Sequence, residues 1–183
     1  PTCECLDICV QNVRLICTRN FSQTINLGSA MGCRGGNCVL PTSCRVVVLC
    51  ASERLLPDCS GVHVSVRAMV VFEDASGNPT CCVILNDIEF DCTSFVRFPS
   101  GATVSGNALR NELKIIDGSC VVVNLTCSLS SDRRTATVSG TIVDKLWKEE
   151  NLWIEGILPY PQSITVKREF PSPYEIPECP SPA

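Results

Sequence analysis

Fifteen cysteines stand beside a single histidine in this 183-residue chain, and that ratio narrows what the chain can fold into. Thiols can pair with each other, hold metal or do chemistry. Zinc sites and cysteine nucleophiles rely on histidine partners or a close C-x-x-C spacing. This chain has only His63 and no C-x-x-C. The expected state of its cysteines is therefore disulfide. Because fifteen is odd, full oxidation within one chain leaves a sulfur over, and a leftover thiol points to a bond with another chain.

Placement along the chain sharpens this expectation. Cys3, Cys5 and Cys9 crowd one end, and Cys179 stands alone in a proline-rich tail at the other. Cysteines near free ends are badly placed to staple a core and well placed to reach a neighbour, so these four are the candidates for bonds between subunits. The remaining disulfide candidates are Cys17, Cys33, Cys38, Cys44, Cys50, Cys59, Cys81, Cys82, Cys92, Cys120 and Cys127. Cys81 and Cys82 are adjacent, and successive strand side chains point to opposite faces. A bridge between them would strain the backbone, so separate partners are expected. The plainer alternative is a monomer with internal bridges and one spare thiol.

The length suits one domain with an appended piece and is ample for a real core. Disulfides are needed most where a chain is too short to bury enough apolar surface. Here they exceed the folding requirement, which points to durability or cross-linking. With 15 basic against 19 acidic residues and no basic run, nucleic acid is not an expected partner, since that affinity rests on clustered Lys and Arg. No apolar run approaches the roughly 18 residues that span a bilayer. The chain opens Pro-Thr-Cys without a basic-then-apolar leader. The expectation is that a leader has been removed or that only the initiator Met is missing.

The pattern reads as three parts. Residues 1–60 form a cysteine-rich connector with first strands at Ile8–Cys17 and Arg45–Ala51. Between them, Gly28–Cys38 is rich in small residues but lacks the G-K-[ST] ending of a phosphate loop, so it reads as a pinned loop. Residues 61–170 read as a β-sandwich. Val62, Val64, Val66, Ala68, Val70 and Phe72 alternate with His63, Ser65 and Arg67, the period-2 signature of a half-buried strand. Glu73–Pro79 is a turn cluster, followed by strands over Thr80–Phe90 and Phe95–Phe98. Leu109–Ile116 and Ser119–Leu129 read as a hairpin about Asp117-Gly118, a pair suited to a tight two-residue turn. Ser130–Arg134 makes the next turn, into Thr135–Val143, and Lys145–Asn151 is the one expected helical turn. Trp153–Leu158 and Ser163–Phe170 complete the strands. Frequent turn signals with few helical periods predict an all-β, sandwich or jelly-roll-like domain. Residues 171–183 hold five prolines and should lie extended.

Catalytic chemistry has little to work with. A Cys–His dyad could use only His63, which falls on the outward face of its strand. The carboxylates are scattered, and Trp147 and Trp153 are too few to line a sugar cleft of the kind two catalytic carboxylates need. The gaps among Cys33, Cys38, Cys44 and Cys50 exceed those of zinc knuckles. No metal, cofactor or catalytic residue is therefore expected. Assembly remains: an extended segment can add to an exposed sheet edge by main-chain hydrogen bonds, and the β-prone stretch Asp7–Cys17 would serve.

The opening Thr2-Cys-Glu-Cys-Leu-Asp-Ile-Cys9, followed by an all-β body, resembles the cysteine-rich endospore appendage subunits of spore-forming bacteria. In that family a short cysteine-bearing connector precedes a jelly-roll-like domain. Subunits stack by strand augmentation, and connector cysteines bond earlier subunits. Family connectors often carry an adjacent cysteine pair, whereas here Cys3 and Cys5 are spaced and the pair lies at Cys81-Cys82. Residues 62–170 also resemble the β domains of spore-coat assembly proteins. The resemblance implies a homopolymer, extracellular or on a spore surface, cross-linked through Cys3, Cys5, Cys9 or Cys179. The other reading of the residues is a secreted, disulfide-stabilised binding or adhesin module.

Overall fold

The computed structural model describes residues 3–28 and 38–157, without the side chains of residues 3–9, 86, 87 and 151–157. The expected strand Ser163–Phe170, the tail 171–183 with Cys179, and Cys33 lie outside the described residues. The described chain runs β1 (Cys3–Asn26), β2 (Ser43–Leu55), a 3-10 turn (Pro57–Cys59), β3 (Val62–Glu73), β4 (Pro79–Cys92), β5 (Ser94–Arg97) and β6 (Thr103–Ser105). It continues through α1 (Gly106–Leu113), β7 (Gly118–Leu129) and β8 (Thr135–Ile157).

These strands make two antiparallel sheets, β6-β5-β1-β8-β7 and β2-β3-β4. The fold is an all-β sandwich, as the alternating pattern predicts. Strand β3 shows why. Val62, Val64, Val66, Ala68, Val70 and Phe72 are buried, while Arg67 between them is exposed and His63 and Ser65 are half-buried. Opposite them lie Leu15, Ala136, Val138, Ile142 and Leu146 of the larger sheet, all within one continuous apolar cluster. Burying each such aliphatic side chain contributes about 1.5–3 kcal/mol, so this interlayer face is the principal stabilising feature.

Both expected turns form, with a carboxylate organising each. Asp74 Oδ1 accepts from the backbone N–H groups of Ser76 and Asn78 at 2.9 and 3.0 Å. Asp132 Oδ1 accepts from the Ser130 hydroxyl at 2.6 Å and the Arg134 N–H at 3.1 Å.

Two expectations about local structure are overturned. Leu109–Ile116 is not a strand: residues 106–113 form α1, with Leu109 and Leu113 buried. An i, i+4 apolar pair over Ala, Arg and Glu is a helical stripe, and it outweighs the Asp-Gly turn signal. Asp117-Gly118 instead leads into β7, where the Asp117 N–H donates to the Trp147 carbonyl and Asp117 Oδ2 accepts from the Glu149 N–H. Lys145–Asn151 is not helical either, because it continues β8 in register with β1. Asp7–Cys17, the stretch expected to serve in adding to a neighbour's sheet, pairs along one side within its own chain. It pairs with β8 from Asp7↔Trp153 to Cys17↔Asp144.

Gly140 sits on β8 opposite Phe21 and Leu125, at φ 153°, where a Cβ would collide with the Asn124 carbonyl. Only glycine fits this backbone at this approach. Gly140→Ala is expected to cost about 1–3 kcal/mol, which at this chain length lowers the melting point by roughly 2–4 °C per kcal/mol. A thermal melt checks this, and an unchanged midpoint would remove the packing account of Gly140.

Candidate functional site

The pairing leaves three unusual features: a two-stranded ribbon, an open flank and a buried carboxyl pair. The ribbon arises because β1 and β8 outrun their neighbours. β5 meets β1 only at Leu15 and Ile16, and β7 meets β8 no further than Gly118↔Trp147. Beyond that point residues 3–12 and 148–157 pair with each other alone among the described residues. The root of the ribbon is clamped by Glu150, which accepts from Asn12 Nδ2 at 2.9 Å and Arg14 Nη1 at 3.1 Å. Cys3, Cys5 and Cys9 occupy register positions opposite Ile157, Glu155 and Asn151. By the two-residue repeat these positions share one face of the ribbon.

The open flank lies at the other end of β1. Past Ile16 the side of β1 away from β8 has no strand partner among the described residues, and neither has the side of β4 away from β3. The two edges face one another across the sandwich. They are bridged at one end by the Cys17–Cys92 disulfide and by Arg19, whose Nη2 donates to the Asp91 carbonyl at 2.9 Å. The Arg19 guanidinium also sits 5.2 Å from the centre of the Phe90 ring. Between the edges is a cavity of about 300 Å³ lined by Arg19, Asn20, Phe21, Ile88, Glu89, Phe90 and Ile142. Its floor is apolar and its rim carries both charges.

A disulfide staples the two sheets together on each flank of the sandwich. Cys17–Cys92 joins β1 to β4, and Cys44–Cys127 joins β2 to β7, with Cα separations of 6.3 and 5.7 Å. Cys38–Cys81 ties the loop before β2 to β4, with a Cα separation of 5.4 Å. Cys82 is disulfide-bonded too, as is Cys50, so the adjacent pair Cys81-Cys82 takes separate bridges as its strand geometry requires. Cys59 is a half-buried free thiol in the 3-10 turn, and Cys120 lies exposed on β7 opposite Lys145. Such bridging places the folded chain in an oxidising environment.

His63 stands on the outward face of the three-stranded sheet. Its Nδ1 is 2.7 Å from Asp91 Oδ1 and its Nε2 is 4.0 Å from Glu89 Oε1. The imidazole is thus held by two carboxylates on β4. Among the described residues, no group of three or more His, Cys, Asp or Glu side chains has a metal-binding arrangement, and no helix is long and apolar enough to cross a membrane.

Residue-by-residue reading missed the buried pair. Asp144 is fully buried on β8, between Cys17 on β1 and Val121 on β7, with Ile142 and Leu146 on the same inward face. Glu53 approaches from β2, where it pairs with the buried Val64. No N–H or hydroxyl donor reaches either Asp144 oxygen. A hydrogen bond between Asp144 and Glu53 therefore exists only while one of them carries a proton. Burial first, and then Glu53, push the Asp144 carboxyl up to about 9.

No protein family, curated protein or solved structure matches this chain.

Proposed function

We propose that this chain is a non-enzymatic structural subunit that assembles, copy on copy, into an extracellular fibre or coat cross-linked by disulfides, as the resemblance to endospore appendage subunits implies. The observation that carries the reading is the pair of strand edges on β1 and β4 that have no strand partner among the described residues, facing each other in a fold whose sheets are already stapled on both flanks. Free edges template the addition of another chain, and bridges beyond what the core needs serve durability. The two-stranded ribbon supports it further. Isolated two-stranded ribbons are marginal in water, so a neighbour packed on this one is a natural complement. In that arrangement Cys3, Cys5 and Cys9 on the ribbon, together with Cys179, supply the bonds between subunits.

Negative-stain microscopy of the purified protein, with gels run with and without reductant, tests the reading. Fibres and a ladder that collapses under reductant are expected. Monodisperse particles and a single band of about 20 kDa in both lanes would overturn it. The alternative, a secreted binding module, would then draw on the 300 Å³ cavity of the open flank. In a Cys3→Ser/Cys5→Ser variant, assemblies should form but dissociate in boiling detergent without reductant. Undiminished resistance would remove these two residues from the cross-link.

A further inference from the structure

Arg19 stands on the wrong face of its strand for a charge. Its register partner on β8 is Ile142, whose side chain is fully buried, and directly opposed residues share a face. Arg19 therefore starts from the inward face of β1, in line with the buried Leu15 and Cys17, and is exposed because the flank is open there. Phe90 on β4 pairs with the buried Val64 and so faces inward as well. With Phe21 and Ile88 these side chains line the cavity of about 300 Å³.

The guanidinium is held in place and has no counter-charge. Its Nη2 donates to the Asp91 carbonyl at 2.9 Å, the one hydrogen bond of this side chain among the described residues, and the group sits 5.2 Å from the centre of the Phe90 ring. No carboxylate pairs with it among the described residues. The two acids of this flank are engaged on the outward face of β4. Asp91 Oδ1 is 2.7 Å from His63 Nδ1, while Glu89 Oε1 accepts from the Ser65 hydroxyl at 3.4 Å and lies 4.0 Å from His63 Nε2. Arginine carries five N–H donors in a planar fork that matches a carboxylate, so most of this fork is left for a ligand.

From this we infer that the open flank is a binding site for a small aromatic monocarboxylate, its carboxylate on Arg19 and its ring between Phe21 and Phe90. Size sets the ligand's body. An apolar cavity of about 150 Å³ holds benzene, so twice that volume takes a ring with a short acidic arm. The two half-buried phenyl rings suit an aromatic partner by offset or edge-to-face contact, and the buried Ile88 and Ile142 close the floor. Glu89 at the rim disfavours a second acidic group. The site is complete in one chain, so it stands apart from the assembly reading.

Calorimetric titration of the full chain with 3-phenylpropanoate tests this. One site per chain is expected, with a dissociation constant of about 1 mM or tighter. The uncharged amide of the same shape, 3-phenylpropanamide, should bind at least about tenfold more weakly. The acid should lose as much on an Arg19→Gln chain. Because Arg19 also bridges β1 to β4, the comparison of acid with amide on the unaltered chain keeps the charge test free of any effect on folding. In methyl NMR spectra of isoleucine-labelled chain, the signals of Ile88 and Ile142 should shift as the acid saturates. No saturable binding up to about 10 mM, equal affinity for acid and amide, or shifts that spare both isoleucines would each overturn the inference.

Discussion

Replacing Asp144 with asparagine should raise the melting temperature at pH 7 by roughly 10 °C, given about 4 kcal/mol of relieved penalty and 2–4 °C per kcal/mol. The reasoning starts from burial. Asp144 is fully enclosed, faces Glu53 across the sandwich and has no donor to stabilise its anion. Its pKa therefore stands at about 9 against an ordinary value of 3.8. The native chain binds more protons here than the unfolded chain does throughout that interval. The contribution of Asp144 to stability therefore falls as pH rises from about 4 to about 9, and is level outside it. Asparagine keeps the shape, cannot ionise, and offers an N–H to Glu53. The gain should vanish below pH 4, where both states of the wild type are protonated. Thermal melts of both proteins from pH 3 to pH 10 decide the matter. A constant offset across that range would mean that ionisation of Asp144 is not the cause.

A second large effect is expected from the flank staples. Cys44 and Cys127 are 83 residues apart in sequence and join β2 to β7, and Cys17 and Cys92 are 75 apart and join β1 to β4. On the chain-entropy account, closing loops of this size stabilises by about 4.5 kcal/mol each. A Cys44→Ser/Cys127→Ser variant, altered at half-buried positions, should therefore melt about 10 °C lower or more. It should still fold, because the interlayer cluster around Val64, Phe72, Ile142 and Leu146 does not include these two sulfurs among its fully buried members. A drop under about 2 °C would mean that the unfolded chain is already confined by its other bridges.

The sandwich was legible because β3 states its period so plainly. A strand that alternates valine with polar residues has one way to face a core. The separate bridges of Cys81 and Cys82 were legible for a similar reason, since pleating points the two side chains to opposite faces and disfavours a bond between them. Asp144 escaped notice because of where the reading was cut. With a strand ending at Val143 and a helical turn starting at Lys145, the residue falls at a boundary. Carried on as strand, Ile142, Asp144 and Leu146 occupy one inward register, and a carboxylate between two core aliphatics becomes conspicuous. Helix α1 was missed because Leu109 and Leu113 can be counted as alternating or as helical, and a short apolar run does not distinguish the two. Disulfide partners had no local signature at all. Cys17 meets Cys92, and Cys44 meets Cys127, only through the stacking of two sheets.

The long pairing of β1 with β8 also decides how this fold would carry a mechanical load. Cys3 and Ile157 are register partners at the same end of an antiparallel pair. A pull across those two points acts as a peel, opening hydrogen bonds one after another instead of shearing many together. Among the described residues the peel meets no further strand until it reaches the sandwich, where β5 and β7 join. At Cys17 it meets a covalent bond, and the force on β1 passes through Cys92 into the second sheet. The ribbon is thus a compliant segment in series with a locked body. It extends at low tension, and Cys17 sets the limit of its travel.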